Sequence, residues 1–89
     1  MKEGRYRGVM FATQKHLDSL KHFGICAFTH SKKEAEANPP DIGDYIHLLF
    51  DETSRGRRIA VRLLANQKRD DGGVISIYVP AYYIFTENL

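Results

Sequence analysis

The amino-acid sequence predicts a single α+β domain, mostly β, in which five or six strands form a small barrel or curled sheet with two short helices. The chain has 89 residues, of which 43% are hydrophobic and 27% charged, and this composition is typical of one globular domain with one core. Both helix signals fall in the first half of the chain. The second half carries three or four apolar segments separated by turns, and successive hairpins of this kind favour a barrel or a strongly curled sheet.

The amino-terminal part predicts a strand followed by a helix. Residues 6–12 are apolar with an extended pattern and therefore predict the first strand. Residues 14–22 carry helical spacing, with the Thr13 hydroxyl placed to cap the first turn and Gly24 placed where helices commonly stop.

A second strand and helix follow. Residues 24–29 carry no charge and predict a buried strand. Ser31 stands three residues before Glu34, which is the spacing of a capping box at the start of a helix. Pro39 and Pro40 end this second helix.

The next segment predicts a turn and a strand. Residues 41–44 (DIGD) have turn chemistry, in which Gly43 is free to adopt a positive φ. Residues 45–50 form a clear apolar strand, and residues 51–56 form a polar loop.

Residues 57–66 show the period-two alternation of a strand between core and solvent. The predicted inner side consists of Ile59, Val61 and Leu63, and the predicted outer side consists of Arg58, Ala60, Arg62 and Leu64.

The carboxy-terminal part predicts a hairpin. Residues 67–73 are a charged turn ending in Asp-Gly-Gly, and residues 74–79 form the return strand. Because Pro80 cannot donate a ladder hydrogen bond, residues 81–86 continue as a last strand or as a bent extension.

No group of side chains forms a catalytic or metal-binding pattern. Cys26 lies in an apolar stretch, where a cysteine usually fills the core. The four histidines contain no pair at four-residue spacing, and no glycine-rich loop joins a strand to a helix as a phosphate site requires. The sequence therefore predicts a protein that is not an enzyme and that uses neither a metal nor a cofactor.

Charge and cysteine content bear on the partners and the compartment. Thirteen basic residues against eleven acidic ones give a net charge of +2, which permits a polyanionic partner. The single cysteine cannot form an intramolecular disulfide, and no apolar run approaches the roughly 20 residues of a membrane-spanning helix. We expect a cytoplasmic protein without a membrane partner. The core of so small a domain is limited, so a homodimer or a larger protein partner is a further expectation.

Basic and aromatic residues point to nucleic acid. Arg58 and Arg62 lie on one side of a predicted strand, and the chain carries ten aromatic side chains of the Phe and Tyr types. Cations that hold phosphates, beside rings that stack on bases, are what recognition of single-stranded RNA or DNA requires.

The order of motifs resembles that of PUA-like domains of the EVE and YTH type. The residues that carry the resemblance are 9–14 (VMFATQ), 16–20 (HLDSL), 23–26 (FGIC), Lys32-Lys33, 39–44 (PPDIGD), 45–50 (YIHLLF) and 56–61 (GRRIAV). The resemblance covers residues 6–66. It implies a module that binds nucleic acid and takes a base, often a modified one, into a pocket at the edge of the barrel.

The resemblance also implies where the site would lie. Its pocket residues would be Thr13, Gln14, Ile25, Cys26 and Ala27, with Lys32 and Lys33 close to the phosphate backbone. Together with Lys15, Arg58 and Arg62, these residues form the predicted nucleic-acid site. At the position where the family commonly carries a tryptophan, this chain has Ile25.

Two alternatives remain open. A cold-shock or OB-type single-strand binder shares short likenesses at residues 7–9, 23–25 and 43–44, although the helix at residues 14–22 argues against it. A small protein-interaction or inhibitor module would present the apolar segment 75–85 to a partner as an edge strand.

Overall fold

The structure, a computed structural model, describes residues 4–50 and 57–81, and of Phe50 and Arg57 it describes the backbone. The strands are β1 (Tyr6–Ala12), β2 (Cys26–His30), β3 (Tyr45–Phe50), β4 (Arg57–Lys68) and β5 (Val74–Pro80), and the helices are α1 (Gln14–Phe23) and α2 (Lys32–Ala37). The predicted class, α+β and mostly β, and the predicted order of elements are confirmed. The predicted loop 51–56, and the predicted last strand beyond Ala81, lie outside the described residues.

The five strands form one curled, half-barrel sheet in the order β1-β3-β4-β5-β2. β1 runs parallel to β3, and the other neighbouring strands run antiparallel. Within the described ranges, β1 and β2 are therefore the two edges of the sheet. The predicted hairpins at the end of the chain are the antiparallel pairs β3–β4 and β4–β5.

The inner face of the sheet carries the core. Its buried residues are Cys26, Phe28, Ile46, Leu48, Ile59, Val61, Leu63 and Tyr78, and Leu20 of α1 joins them. The predicted alternation in β4 is confirmed, since Arg58, Arg62 and Leu64 are exposed. It breaks at an irregularity between Leu63 and Ala65, beyond which β4 continues two residues past its predicted end.

α1 contacts both edge strands. The His16 ring stacks on Phe28 with 4.2 Å between ring centroids, and the Thr13 backbone N–H donates to His16 Nδ1 at 3.0 Å. The Thr13 hydroxyl, predicted to cap the helix, lies 3.1 Å from the same nitrogen. Gly24 ends the helix with a φ of 75°, and because this left-handed conformation cannot continue into a strand, β2 begins at Cys26 instead of at the predicted Gly24.

α2 begins with the predicted capping box. The Ser31 backbone N–H donates to Glu34 Oε1 at 2.8 Å, and the Glu34 backbone N–H donates to Ser31 Oγ at 3.1 Å. The chain then turns at Gly43, whose φ is 94°, as predicted. Among residues 4–50 and 57–81, no helix has the length and apolar character needed to cross a membrane.

Candidate functional site

A recess of about 360 Å³ lies between the two edge strands, where the sheet formed by residues 4–50 and 57–81 does not close and α2 lies alongside. This volume is within the range of ligand sites, which is roughly 300–1,000 Å³. The residues that line the recess are Arg7 and Met10 of β1, His30 of β2, Ile46 of β3, Tyr78 of β5, and Glu34, Ala37 and Asn38 of α2 and its end.

Arg7 connects three parts of the chain beneath the recess. Its side chain is 12% exposed, and one terminal nitrogen, Nη1, donates to Asp44 Oδ2 at 3.2 Å and to the Pro39 carbonyl at 2.9 Å. The other, Nη2, donates to the Asn38 carbonyl at 2.8 Å. These bonds hold the end of α2 against β1, and they position the wall of the recess.

Asp44 is the buried carboxylate that balances this arginine. Its Oδ1 accepts the Arg5 backbone N–H and its Oδ2 accepts that of Asp41, both at 3.1 Å. Burial alone would raise the pKa of Asp44, but these backbone bonds and the Arg5 and Arg7 guanidinium groups outweigh it and hold the pKa below its ordinary value. Because Asp44 compensates the Arg7 charge, the floor of the recess is close to neutral.

His30 lines the recess and carries a buried polar atom without a partner in the described structure. It is the last residue of β2, and its Nε2 is buried with no hydrogen-bond partner in the part of the chain that the structure describes. Buried polar atoms in proteins are nearly always hydrogen-bonded to protein groups or to ordered water. Either an ordered water or a bound ligand can supply the partner of this nitrogen.

Tyr78 and Glu34 complete the polar lining. Tyr78 is 1% exposed, and burial raises the pKa of its phenol, which therefore stays neutral near pH 7. The Ser31 backbone N–H lowers the pKa of Glu34, which is therefore ionised. Met10 and Ile46 add apolar surface. The lining of the recess therefore combines a neutral phenol, an ionised carboxylate and apolar atoms.

Basic side chains lie in or beside the elements that border the recess. The Arg5 side chain, on the β1 side, is 57% exposed, and its Nη2 lies 3.6 Å from Asp44 Oδ2. Lys33 lies four residues before Ala37, so it occupies the same side of α2 one turn away. Lys32 lies against Gly72 in the turn between β4 and β5.

The ten residues of the predicted site are spread over four places and do not line the recess. The junction of β1 and α1 exposes Thr13, Gln14 and Lys15, and α2 begins with Lys32 and Lys33. At the start of β2, Ile25 and Ala27 are exposed, whereas Cys26 is 2% exposed in the core. In β4, Arg58 and Arg62 are exposed. Burial raises the pKa of the Cys26 thiol to about 12, so this thiol stays protonated.

The sequence analysis did not identify the recess residues, because they come from five different elements. Arg7 and Asp44 are 37 residues apart, and no short motif joins them. One signal was present for His30. The alternation that turns Cys26 and Phe28 inward also turns His30 inward, at the end of the same strand.

The opposite side of the β1–β3–β4 part of the sheet is a second candidate surface, which we call the outer face. Its residues are Tyr6, Val9, Phe11, Tyr45, His47, Leu49, Arg58, Ala60, Arg62 and Leu64. The rings of Tyr6 and Tyr45 lie 5.3 Å apart between centroids, and the Tyr6 hydroxyl lies 3.0 Å from His47 Nδ1. The Arg62 guanidinium lies over the Tyr45 ring at 5.3 Å.

The remaining polar groups form no metal centre within residues 4–50 and 57–81, where no three His, Cys, Asp or Glu side chains come together. A hollow of about 400 Å³ beside the β4–β5 turn is lined by charged turn residues of both signs and by Ile75. It lacks the mixture of buried polar and apolar atoms that the recess has.

No family model and no curated protein matches this chain. The chemistry of the recess and of the outer face is therefore what supports a function.

Proposed function

We propose that this domain binds RNA or DNA and takes one unpaired base into the recess between β1 and β2, without catalysing a reaction. The observation that carries the proposal is the buried Nε2 of His30, which has no partner in the described structure and belongs to a residue that lines a recess of ligand size. We also propose that the half-barrel is a divergent PUA-like domain, as the order of its motifs suggests.

A base suits the recess better than an anion does. The Arg7 charge is compensated by Asp44, and Glu34 adds a negative charge to the wall, so a phosphate would meet repulsion there. A neutral heterocycle can hydrogen-bond with His30 and pack its face on the partly buried Met10. Removing a base from its stack costs a few kcal/mol, and these contacts would offset that cost.

Phosphates fit the basic side chains beside the recess. Arg5 directly precedes β1 and Lys33 lies in α2, and both of these elements contribute residues to the lining of the recess. In this arrangement the cations position the strand, and the recess contacts the base.

The matched pair His30→Asn and His30→Gln tests the proposal. A glutamine amide reaches the level of Nε2, whereas an asparagine amide reaches only that of Nδ1. We expect His30→Asn to weaken binding of a labelled single-stranded oligonucleotide by about 2- to 12-fold, the equivalent of roughly 0.5–1.5 kcal/mol for one hydrogen bond. His30→Gln should retain most of the affinity, as measured by fluorescence anisotropy.

A stability measurement on His30→Phe separates binding from folding. Because Nε2 has no partner in the described structure, phenylalanine should leave the free energy of unfolding unchanged or raise it, while it abolishes the contact with the base. Urea unfolding measures this. Wild-type affinity in both His30→Asn and His30→Phe would rule out the recess as the base site.

A protein-interaction module is the second candidate, and a specific observation favours it. Phe11 is 71% exposed and Leu64 is 55% exposed on the outer face, and exposed apolar side chains in a group are typical of protein-docking surfaces. The two functions differ in their response to salt, because displaced counterions dominate nucleic-acid binding.

A further inference from the structure

We infer that the outer face is a second nucleic-acid surface, on which the bases next to the one in the recess stack as a single strand. The inference rests on the proposed function and adds to it that the ligand is a single strand with several stacked bases. A strand that leaves the recess has to cross only β1 to reach this face.

The charge of the outer face is of one sign. Its only ionised side chains among the described strand residues are Arg58 and Arg62, and none of its ten residues is Asp or Glu. A surface that carries cations without carboxylates attracts a polyanion and does not repel its phosphates. This complementarity selects a nucleic acid over a second copy of the chain, because two copies would bring the arginines of their outer faces toward each other.

The aromatic side chains of the outer face are already held in place. The Tyr6 hydroxyl and His47 Nδ1 are within hydrogen-bond distance, and Arg62 donates to the Gly43 carbonyl at 2.8 Å while it lies over Tyr45. Rings held in this way lose little conformational freedom when a base stacks on them. Phe11, farther along β1, presents an exposed ring for a further base.

β1 connects the two surfaces because it contributes side chains to both faces of the sheet, with an irregularity between Tyr6 and Val9 that keeps these two residues on the same face. Arg7 and Met10 belong to the recess, while Tyr6, Val9 and Phe11 belong to the outer face. β1 is an edge strand of the described sheet, so no neighbouring strand separates the opening of the recess from the outer face on that side. One extended strand can therefore occupy both surfaces.

The matched variants Phe11→Ala and Phe23→Ala test this inference. The two phenylalanines are similarly exposed, at 71% and 77%, but Phe23 ends α1 and is not on the sheet. We expect Phe11→Ala to weaken binding of a single-stranded oligonucleotide of about 8 nucleotides by roughly 5- to 150-fold, as the loss of one stacked base does. Phe23→Ala should bind as the wild type does, and Arg58→Gln should weaken binding to oligonucleotides of every sequence.

A mononucleotide separates the outer face from the recess. Binding of the mononucleotide, followed by NMR chemical shifts, should be unchanged in Phe11→Ala and weakened in His30→Asn.

If the wild type binds the oligonucleotide and Phe11→Ala binds it equally well, the outer face is not a nucleic-acid surface, whereas the recess can still be one. If Phe11→Ala instead converts a dimer into a monomer in sedimentation equilibrium, the outer face is a self-association surface and the inference is overturned. No oligonucleotide binding by the wild type at low salt would overturn the proposed function and this inference together.

Discussion

Asp44 is the residue on which the geometry of the recess depends most directly. It is 2% exposed, and its two oxygens accept bonds from two backbone N–H groups and from Arg7. Arg7 in turn holds the end of α2 through the carbonyls of Asn38 and Pro39. One buried carboxylate therefore fixes where β1, the turn before β3 and α2 meet.

Replacing Asp44 with asparagine keeps the shape but leaves the Arg7 charge without its carboxylate. We expect a loss of about 3 kcal/mol in the free energy of unfolding, measured with urea at pH 7. Asp71→Asn is the control, since the Asp71–Arg69 ion pair is exposed to solvent and its removal should change stability much less. Equal effects of the two substitutions would show that Asp44 has no special structural role.

Protonation of Asp44 should lower the free energy of unfolding as the pH falls. The folded-state pKa of Asp44 lies below its ordinary value of 3.8, so the ionised form contributes stability in full above that value. That contribution is lost as the pH falls through the lower, folded-state pKa. We expect the wild type to lose stability steeply below about pH 4 and Asp44→Asn to lose less over the same range. Parallel curves for the two proteins would contradict this.

At the scale of elements, α2 is the part that needs the most outside support. It has six residues and none of them is buried, and a helix this short is unstable by itself. The capping box at Ser31 and Glu34 holds its first turn, and the bonds from Arg7 hold its end. The stability of α2, which forms a wall of the recess, therefore depends on these hydrogen bonds.

Replacing Ser31 with alanine should loosen α2. We expect a loss of about 1 kcal/mol, the usual cost of removing an N-cap side chain. Amide hydrogen exchange should become faster at Ala35 and Asn38, whose N–H groups bond to the carbonyls of Ser31 and Glu34. Ser31→Asp keeps an acceptor at the cap and should preserve protection, and unchanged exchange in Ser31→Ala would show that packing alone holds the helix.

Local chemistry explains why most elements were predictable. The capping box, the positive φ of Gly43 and the alternation through Ile59, Val61 and Leu63 are short-range signals, and each is confirmed. The start of β2 was misjudged because Gly24 serves the preceding helix as its C-cap. The recess residues were missed because contacts such as Arg7–Asp44 form only when distant segments meet.

At the scale of the whole molecule, the open edge of the sheet creates both candidate surfaces. The parallel pairing of β1 with β3 and the antiparallel pairing of β2 with β5 place the two amino-terminal strands at opposite edges. This pairing could not be derived from local patterns, since the strands that meet are far apart in the chain. The gap between the edges forms the recess, and the same β1 that borders it carries three residues of the outer face.

Salt dependence tests most directly whether this molecule is a nucleic-acid binder. The cations next to the recess and the outer face are Arg5, Lys33, Arg58 and Arg62. Anisotropy titrations of single-stranded RNA and DNA from about 50 to about 200 mM salt should give a linear fall of log K with log salt. Phosphate contacts by two to four of these side chains correspond to a slope of roughly −1.4 to −2.8. Binding that is absent at the lowest salt, or that does not change with salt, would contradict nucleic-acid binding and favour a protein partner.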